Sequence, residues 1–445
     1  MTTQRWWRII PVAFVMYTIA FIDRTNIALA LPQMSRDLHI NPAQAGDIVG
    51  IFFWGYLILQ IPGGYLAHRW SAKWCVSILL VFWGLCAVGC GLVQTAGQFR
   101  VARFMLGVAE GGVWPAVLVM LSHWFPRAER ARANALWMLC LPVSVVVSSP
   151  ISGWIIDHWN WRLMLIAEGV LPFLWLVIWL AFIYDHPKDA KWISPEEKTE
   201  VETILEREAS DLEPAKTAPL LKTLLNPTVL SLILIYFLAN FGSYAYNGWL
   251  PSALKKTLDA RASAAAVSAG NAASAGEKQT NLKIASLNAI PYAIAAFAMV
   301  LVARRSDRTR KRRIHIVNGM IWGGCFMALY VIANESYPVL AFAFVALVIA
   351  GPWSMLAPFW TIPGETLPRN VAATSMGLIN AVGNLGGYFG PFVVGYIRQH
   401  SKNPDDYYSA FMVLALSLVL GGLAALLLPN EPRSPTPPTP RSAAK

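Results

Sequence analysis

The sequence contains few charged residues for its length. Asp, Glu, Lys and Arg make up 14% of the 445 residues, whereas a soluble domain carries about a quarter. Hydrophobic types make up 56%, and the mean hydropathy is +0.46. This composition excludes a water-soluble globule and a disordered chain. The apolar runs also lack the alternation at every second residue that transmembrane β-strands require. We therefore predict an all-α polytopic membrane protein.

The sequence also lacks the patterns of metal, cofactor and nucleotide sites. Its five cysteines fall in apolar runs without a CxxC pair, and its seven histidines form no HExxH pair. The phosphate-binding pattern GxxxxGK(S/T) is absent as well. We expect no metal, no cofactor, no enzymatic activity and no ATP-driven step.

Twelve apolar stretches are each long enough to cross a membrane, which takes about 20 residues. They fall near 9–31, 46–66, 74–95, 99–123, 133–156, 161–184, 228–254, 284–303, 314–333, 338–361, 371–397 and 407–428. We predict an N-terminal six-helix bundle (1–184), a cytoplasmic central linker (185–227), a C-terminal six-helix bundle (228–428) and a disordered cytoplasmic tail (429–445). Pro195 is predicted to open a short helix in the linker. The Ala/Ser-rich stretch 259–282 is predicted to be a flexible external loop, with a weak helix as the alternative.

Basic residues are concentrated in the loops on one side of the membrane. The net charge is +11, and the densest basic cluster is 304–313. Lys and Arg favour cytoplasmic loops, so both termini are predicted to be cytoplasmic, in a plasma membrane that we expect to be a bacterial inner membrane. Because contact with the lipid bilayer accounts for this charge, no nucleic-acid partner is expected.

The loops after the second and eighth spans are alike. Both are short and basic, and they occupy the same place in each half of the chain, at 64–73 and 303–313. Duplicated six-span halves are typical of secondary transporters, whose two bundles rock around a site at the membrane midplane.

Asp23, Arg24 and Asn26 lie within the first span, where a charge costs several kcal/mol unless it is paired, hydrated or functional. Asp23 and Arg24 point about 100° apart on a helix, so they cannot neutralise each other along one face. Asn26 lies three residues from Asp23, on the same side. The pattern predicts a substrate-binding arginine beside a protonatable aspartate. A structural charge pair that ties this span to a neighbour is the alternative.

Arg103 and Glu110 lie in the fourth span, seven residues apart and therefore on one stripe of the helix. A carboxyl group in apolar surroundings holds a proton readily, so Glu110 is predicted to carry one. A pair with Arg103 that forms and breaks would load and release that proton. In the alternative, Arg103 extends to the outer headgroups.

Amide and aromatic side chains on single helix faces are weaker candidates, since they could bond to a ligand or equally to a neighbouring helix. Those taken as substrate-binding candidates are Tyr56, Tyr244, Asn247, Trp360, Asn380 and Asn384. Gln60, Asn240 and Trp249 share these faces or could line a cavity. Asp47, Glu168 and Glu365 are expected near water at the ends of spans.

An ordered set of motifs over nearly the whole chain resembles the major facilitator superfamily, and within it the anion:cation symporter family. Asp23-Arg24-Thr25-Asn26 resembles that family's DRxN, and 103–115 resembles its RxxxGxxEGxxxP. The loop 64–73 is similar to the superfamily motif GxLaDrxGrk, with His68 in place of the Asp. The second half repeats Asp307-Arg308, and 377–391 resembles the family's eleventh span.

The resemblance implies two six-helix pseudo-repeat bundles, twelve transmembrane helices in all, and proton-coupled symport of a small organic anion by alternating access. Arg24 would bind the carboxylate, Asp23 and Glu110 would take up protons, and Arg103 would couple to Glu110. Tyr56, Asn380 and Asn384 would line the cavity. The gating-loop residues would be Gly64, Arg69, Asp307 and Arg308. By the same likeness we expect a monomer.

The fifth span lacks the glutamine that the family's sugar-acid transporters place there, at 138–144 in this sequence. This difference disfavours a long polyhydroxylated substrate and favours a tartrate-like diacid or an aromatic acid. The alternatives are an uncoupled anion facilitator or exchanger, an efflux transporter and a membrane sensor. A facilitator would leave Asp23 and Glu110 with structural roles.

Overall fold

All secondary structure in the described part of the chain is helical. The protein is represented by a computed structural model, which describes residues 4–210, 223, 225–268, 280–333, 337–367, 369–402 and 407–429. Eleven helical stretches in these residues are long and apolar enough to cross a membrane. The predicted all-α polytopic membrane fold is therefore confirmed.

The first half of the chain crosses the bundle six times, and several crossings are broken into two helices. Single residues interrupt the helical hydrogen-bond pattern while they keep helical backbone angles, at Asn26, Ile51, Gly112 and Leu139. The helices are α1 (Gln4–Thr25), α2 (Ile27–Asp37), α3 (Pro42–Gly50), α4 (Phe52–Arg69), α5 (Ala72–Leu92), α6 (Ala96–Gly111), α7 (Val113–Trp124), α8 (Arg127–Met138), α9 (Cys140–His158) and α10 (Trp161–Phe182).

The linker helix α11 (Pro195–Ser210) begins at Pro195 as predicted, since proline suits a first helical turn. We call the end of the bundle that carries the start of α1 and the loops after α4 and α7 the basic end. There Arg5, which is 4% exposed, binds Glu129 of α8 at 2.8 Å and Glu197 of α11 at 3.1 Å. These buried ion pairs fix the linker helix to the N-terminal half.

The second half of the chain repeats the six crossings. Its helices are α12 (Pro227–Ser268), α13 (Asn281–Thr309), α14 (Arg312–Ala333), α15 (Pro338–Val348), α16 (Ala350–Ser354), α17 (Leu356–Thr366), α18 (Arg369–Asn384), α19 (Gly386–His400) and α20 (Tyr408–Ala424). The expected span at 371–397 is present as α18 and α19, although it is not among the eleven apolar stretches. This span faces the other bundle, and its asparagines and glycines make it more polar than the eleven apolar stretches.

The prediction of a loop over 259–282 is wrong for its first part. Helix α12 continues to Ser268, because alanine has the highest helix propensity. Residues 269–279 lie outside the described part, as do 430–445 of the predicted tail. Helix α13 begins at Asn281, inside the stretch predicted to be a loop.

The two halves meet closely at the end of the bundle opposite the basic end. Helix α3 packs on α19 with main chain against main chain. A Cβ added at Gly46 would lie 2.4 Å from the carbonyl oxygen of Pro391, and one at Gly395 would lie 2.2 Å from that of Pro42. Only glycine permits this approach. We call this contact the glycine seal.

A second contact closes the same end. The carboxylate of Asp157 on α9 accepts hydrogen bonds from the backbone amides of Asn281 (2.8 Å) and Leu282 (2.7 Å), which open α13. A carboxylate is favourable at a helix N-terminus. The two halves are therefore joined at this end and separate toward the basic end.

Within the N-terminal half, Gly107 is the closest approach of α6 to α4. A Cβ there would lie 2.0 Å from the carbonyl oxygen of Phe52, whereas one at Gly97 on the same helix meets nothing within 4 Å. We expect Gly107→Ala to destabilise the protein by about 1–3 kcal/mol through overpacking. Gly97→Ala is the matched control and should leave stability unchanged or slightly raised. Thermal unfolding of both purified variants measures the difference, and equal melting temperatures would contradict this packing.

Candidate substrate and proton site

The break between α1 and α2 places the polar DRxN residues in the core of the N-terminal half. Helix α1 ends at Thr25 and α2 begins at Ile27. The side chain of Arg24 is 6% exposed, and Asp23 and Asn26 are 2% and 3% exposed. These groups are buried in the middle of a membrane span, so each needs a partner.

Arg24 pairs with Glu110. The Arg24 Nε donates to Glu110 Oε2 at 2.8 Å, and the Glu110 side chain is fully buried. Three aromatic rings surround the guanidinium, with centroids 4.5 Å (Tyr56), 5.3 Å (Phe52) and 5.4 Å (Tyr17) from its Cζ. Cation–π contact stabilises the charge in this desolvated position.

The Arg24–Glu110 pair has unused hydrogen-bonding capacity. Arg24 Nη2 and Glu110 Oε1 are both buried, and among the described residues neither has a hydrogen-bond partner. A buried donor or acceptor without a partner costs about 1–3 kcal/mol, and it costs more when the group is charged. The pair can therefore offer a donor to an anion and an acceptor to a proton.

The expected pair between Arg103 and Glu110 is not formed. Arg103 is buried and its Nη1 donates to the backbone oxygen of Asp23 at 2.8 Å, so it does not extend to the headgroups either. Arg103 and Glu110 lie seven residues apart, on one stripe of the helix, but the Glu110 carboxylate pairs with Arg24 from α1 instead. The neighbouring Asp23 carboxyl accepts a hydrogen bond from Trp83 Nε1 at 2.5 Å.

Glu168 does not lie near water as expected. It is 6% exposed, and it accepts from Asn26 Nδ2 at 2.8 Å and lies 2.5 Å from Ser152 Oγ. Asp47 and Glu365 are at the expected span ends, where Asp47 pairs with Arg100 and Glu365 with Arg312.

A cavity of about 420 Å³ separates the two halves on the side of the basic end. Gln60, Trp114, Trp360 and Asn380 are among its lining residues, which are mostly apolar. Trp114 packs edge-on against Tyr17 at 5.1 Å. Because the Tyr17 ring contacts Arg24, one aromatic layer lies between the cavity and the Arg24–Glu110 pair.

A chain of amides crosses from one half to the other beside this cavity. Asn380 Nδ2 donates to Gln60 Oε1 at 2.6 Å, and Asn384 Nδ2 donates to Asn380 Oδ1 at 3.0 Å. Asn240 Nδ2 bonds to Asn384 Oδ1 at 3.4 Å. Of the predicted cavity residues, Asn380 thus meets the N-terminal half directly, and Asn384 reaches it through Asn380.

Comparison with known proteins decides the family. The model of the Major Facilitator Superfamily matches residues 13–391 and, in a second match, 278–445. The chain belongs to this superfamily. It is therefore a membrane transporter rather than an enzyme.

Relatives in the superfamily cover almost the whole chain. The chain is 30% identical to a putative tartrate transporter of Agrobacterium vitis, over 96% of this chain and 91% of that protein. It is 30% identical to a quinolone resistance transporter of Acinetobacter baumannii, over 93% and 92%. A partially occluded inward-open structure of the xylose transporter XylE from E. coli superposes with a TM-score of 0.73 at 13% identity, covering 98% and 100%. That likeness supports the fold alone.

The remaining predicted residues fall in different places in this superfamily fold. Tyr244 lies beside Arg24 and packs on Phe53 at 4.4 Å. Asn247 is buried at 5% exposure but does not line the cavity described above. Trp249, which was expected to line a cavity, lines a separate one of about 510 Å³ at the closed end, where the guanidinium of Arg398 lies 4.8 Å from the centroid of its ring.

The superfamily loop motif lies at the basic end in both halves. Gly64 allows α4 to approach Pro115, which a Cβ would meet at 3.1 Å. Arg69 and Arg308 are exposed, and Asp307 pairs with Arg312 at 2.6 Å. Sequence reasoning missed Arg312, which is 6% exposed and also binds Glu365. Its position within a basic cluster gave no signal that it would be buried.

Proposed function

We propose that this transporter carries a small organic anion, a carboxylate, together with protons by alternating access. One observation carries the proposal: the buried Arg24–Glu110 pair, with Nη2 and Oε1 left without partners. A guanidinium offers two parallel donors to a carboxylate. A substrate carboxylate and Glu110 would therefore compete for Arg24.

Competition for one guanidinium supports proton coupling. When Glu110 binds a proton, it loses the charge that holds Arg24, and the substrate anion can take its place. When the substrate leaves, Glu110 regains Arg24 as its countercharge and gives up the proton. A buried unpaired charge is strongly unfavourable. The substrate anion is therefore not readily exchanged without the proton, nor the proton without the substrate. Asp23, held by Trp83 at 2.5 Å, would be the second proton site, and Arg103 would position it.

The cavity supports a short or partly apolar acid as the substrate. Its lining offers the amides Gln60, Asn134 and Asn380 beside Trp114, Trp360 and other apolar side chains. A tartrate-like diacid or an aromatic acid suits this lining better than a long polyhydroxylated acid. The tartrate transporter among the relatives favours the same class.

Contacts between the halves support alternating access. The glycine seal and the Asp157 bonds close one end, and the cavity reaches the other. We propose that the basic end is cytoplasmic, that both termini lie there, and that the protein works as a monomer in a bacterial inner membrane. The structure would then be the inward-facing state.

Proteoliposomes that hold the purified protein test the proposed function. We expect a pH gradient, acid outside, to drive the uphill uptake of one acid from a panel of labelled tartrate-like diacids and aromatic acids. An uncoupler should abolish the accumulation. Uptake that only equilibrates would identify an uncoupled facilitator or exchanger, and tight binding of a six-carbon sugar acid alone would overturn the substrate class.

A further inference from the structure

We propose that Glu168 is a third proton-binding carboxyl group of the N-terminal half, which holds a proton in this conformation and exchanges it during transport. This inference rests on the proposed proton coupling. It starts from the buried contacts that Glu168 makes with Ser152 on α9 and Asn26 between α1 and α2.

The two contacts of the Ser152 hydroxyl favour a hydrogen on Glu168. The Ser152 hydroxyl has a single hydrogen, yet its Oγ lies 2.9 Å from the carbonyl oxygen of Ser148 and 2.5 Å from Glu168 Oε1. If Ser152 donates to Ser148, as serine in a helix commonly does, the hydrogen of the second bond must come from Glu168. A carboxylic acid satisfies every contact, because Oε1–H donates to Ser152 and Oε2 accepts from Asn26 Nδ2.

The charges around Glu168 favour the same neutral form. Within the described residues, Glu168 takes part in no ion pair. Its nearest charged neighbour is the Asp23 carboxyl on α1, which Asn26 joins to it. An ionised Glu168 would thus be a second buried negative charge without a cation. The groups that act on Glu168 are the Ser152 hydroxyl, the Asn26 amide and the Asp23 carboxyl, and none of them is a cation.

The position of Glu168 connects this proton to the movement of the two halves. Its partner Ser152 precedes Gly153, where a Cβ would lie 2.6 Å from Ala285 on α13 of the other half. Its other partner, Asn26, is the break in the first span. When the closed end opens in the proposed cycle, α9 leaves α13, so water can reach the part of α9 that carries Ser152 and Gly153. Release of the proton would then accompany that step.

Glu168→Gln is the direct test, since glutamine reproduces the neutral hydrogen-bond pattern. Its Nε2 can donate to Ser152 and its Oε1 can accept from Asn26, so the variant should fold with the wild-type melting temperature. Infrared difference spectra of the purified protein at neutral pH should show a carboxylic-acid C=O band that is absent from the variant. In proteoliposomes the ratio of protons to substrate should fall by one, while substrate exchange persists.

Ser152→Ala provides a second variant that leaves the carboxyl group in place. Without the acceptor for its hydrogen, Glu168 should lose its proton more readily, so the pH at which exchange is half-maximal should move to lower pH. Ser417→Ala is the matched control, because Ser417 is a buried serine that bonds only to the carbonyl of Leu414 in its own helix. It should leave the pH profile unchanged.

The outcomes separate this inference from the proposed function. If the wild type moves no protons with substrate, the proton coupling fails and the proton exchange of Glu168 fails with it. If the wild type couples protons and Glu168→Gln keeps the same ratio and pH profile, only the inference is overturned. A missing difference band would overturn it as well, because Glu168 would then be ionised.

Discussion

Arg24→Lys is expected to abolish substrate binding although it keeps the positive charge. Arginine binds Glu110 through Nε, and once Glu110 is protonated its Nε and Nη2 can both turn to a substrate carboxylate. The guanidinium also contacts the rings of Tyr56 and Phe52, at 4.5 and 5.3 Å from their centroids. A lysine ammonium is a single point charge that cannot reproduce this fork. Loss of one hydrogen-bonded partner of a buried charge costs about 2–5 kcal/mol, which corresponds to a loss of affinity of about 30- to 4,000-fold.

Binding of the labelled acid to purified protein measures this loss. Arg36→Lys is the matched control, because Arg36 is exposed and bonds only to the backbone oxygen of Pro32. It should bind like the wild type. Near-wild-type affinity in Arg24→Lys would rule out the fork and leave Arg24 as a simple countercharge for Glu110.

Glu110→Gln is expected to lose accumulation driven by a pH gradient and to retain substrate exchange. Glutamine cannot release a proton, so the substrate no longer trades places with one. The wild type should bind its anion more tightly as the pH falls, because protonation of Glu110 frees Arg24. Exchange by the variant should lose the part of the pH dependence that Glu110 contributes.

Paired uptake and counterflow experiments separate the two effects of this variant. Counterflow needs only binding and the conformational change, whereas uphill uptake also needs the proton. Glu200→Gln, an exposed residue on α11, is the control and should behave like the wild type in both experiments. Full uphill uptake by Glu110→Gln would exclude this residue from the proton pathway.

Much of the fold could be predicted from the sequence, because membrane helices are encoded locally by length and apolarity. Pro195 also marked the start of its helix. The depth of a polar side chain is harder to predict. Glu168 was expected near water at the end of its span, whereas its burial depends on Asn26, where α1 meets α2, and on Ser152 of α9.

Partner choice in the site could not be predicted for the same reason. Helical spacing placed Arg103 and Glu110 on one stripe, which is correct for an isolated helix. The packing of α1 against α6 brings Arg24 to Glu110, and Arg103 binds the backbone of α1 instead. Packing between helices decided the pair, and neither spacing nor residue type carries that information.

The glycine seal determines how the closed end can open. Its contacts join main chain to main chain at Gly46 and Gly395, so no side chain must change rotamer there when the two surfaces part. In the proposed alternating-access cycle, the surfaces would separate as rigid bodies and re-form the same fit. A tight contact of this kind leaves no room for a thread of water, which would conduct protons. The seal would therefore preserve the proton gradient that the proposed symport uses.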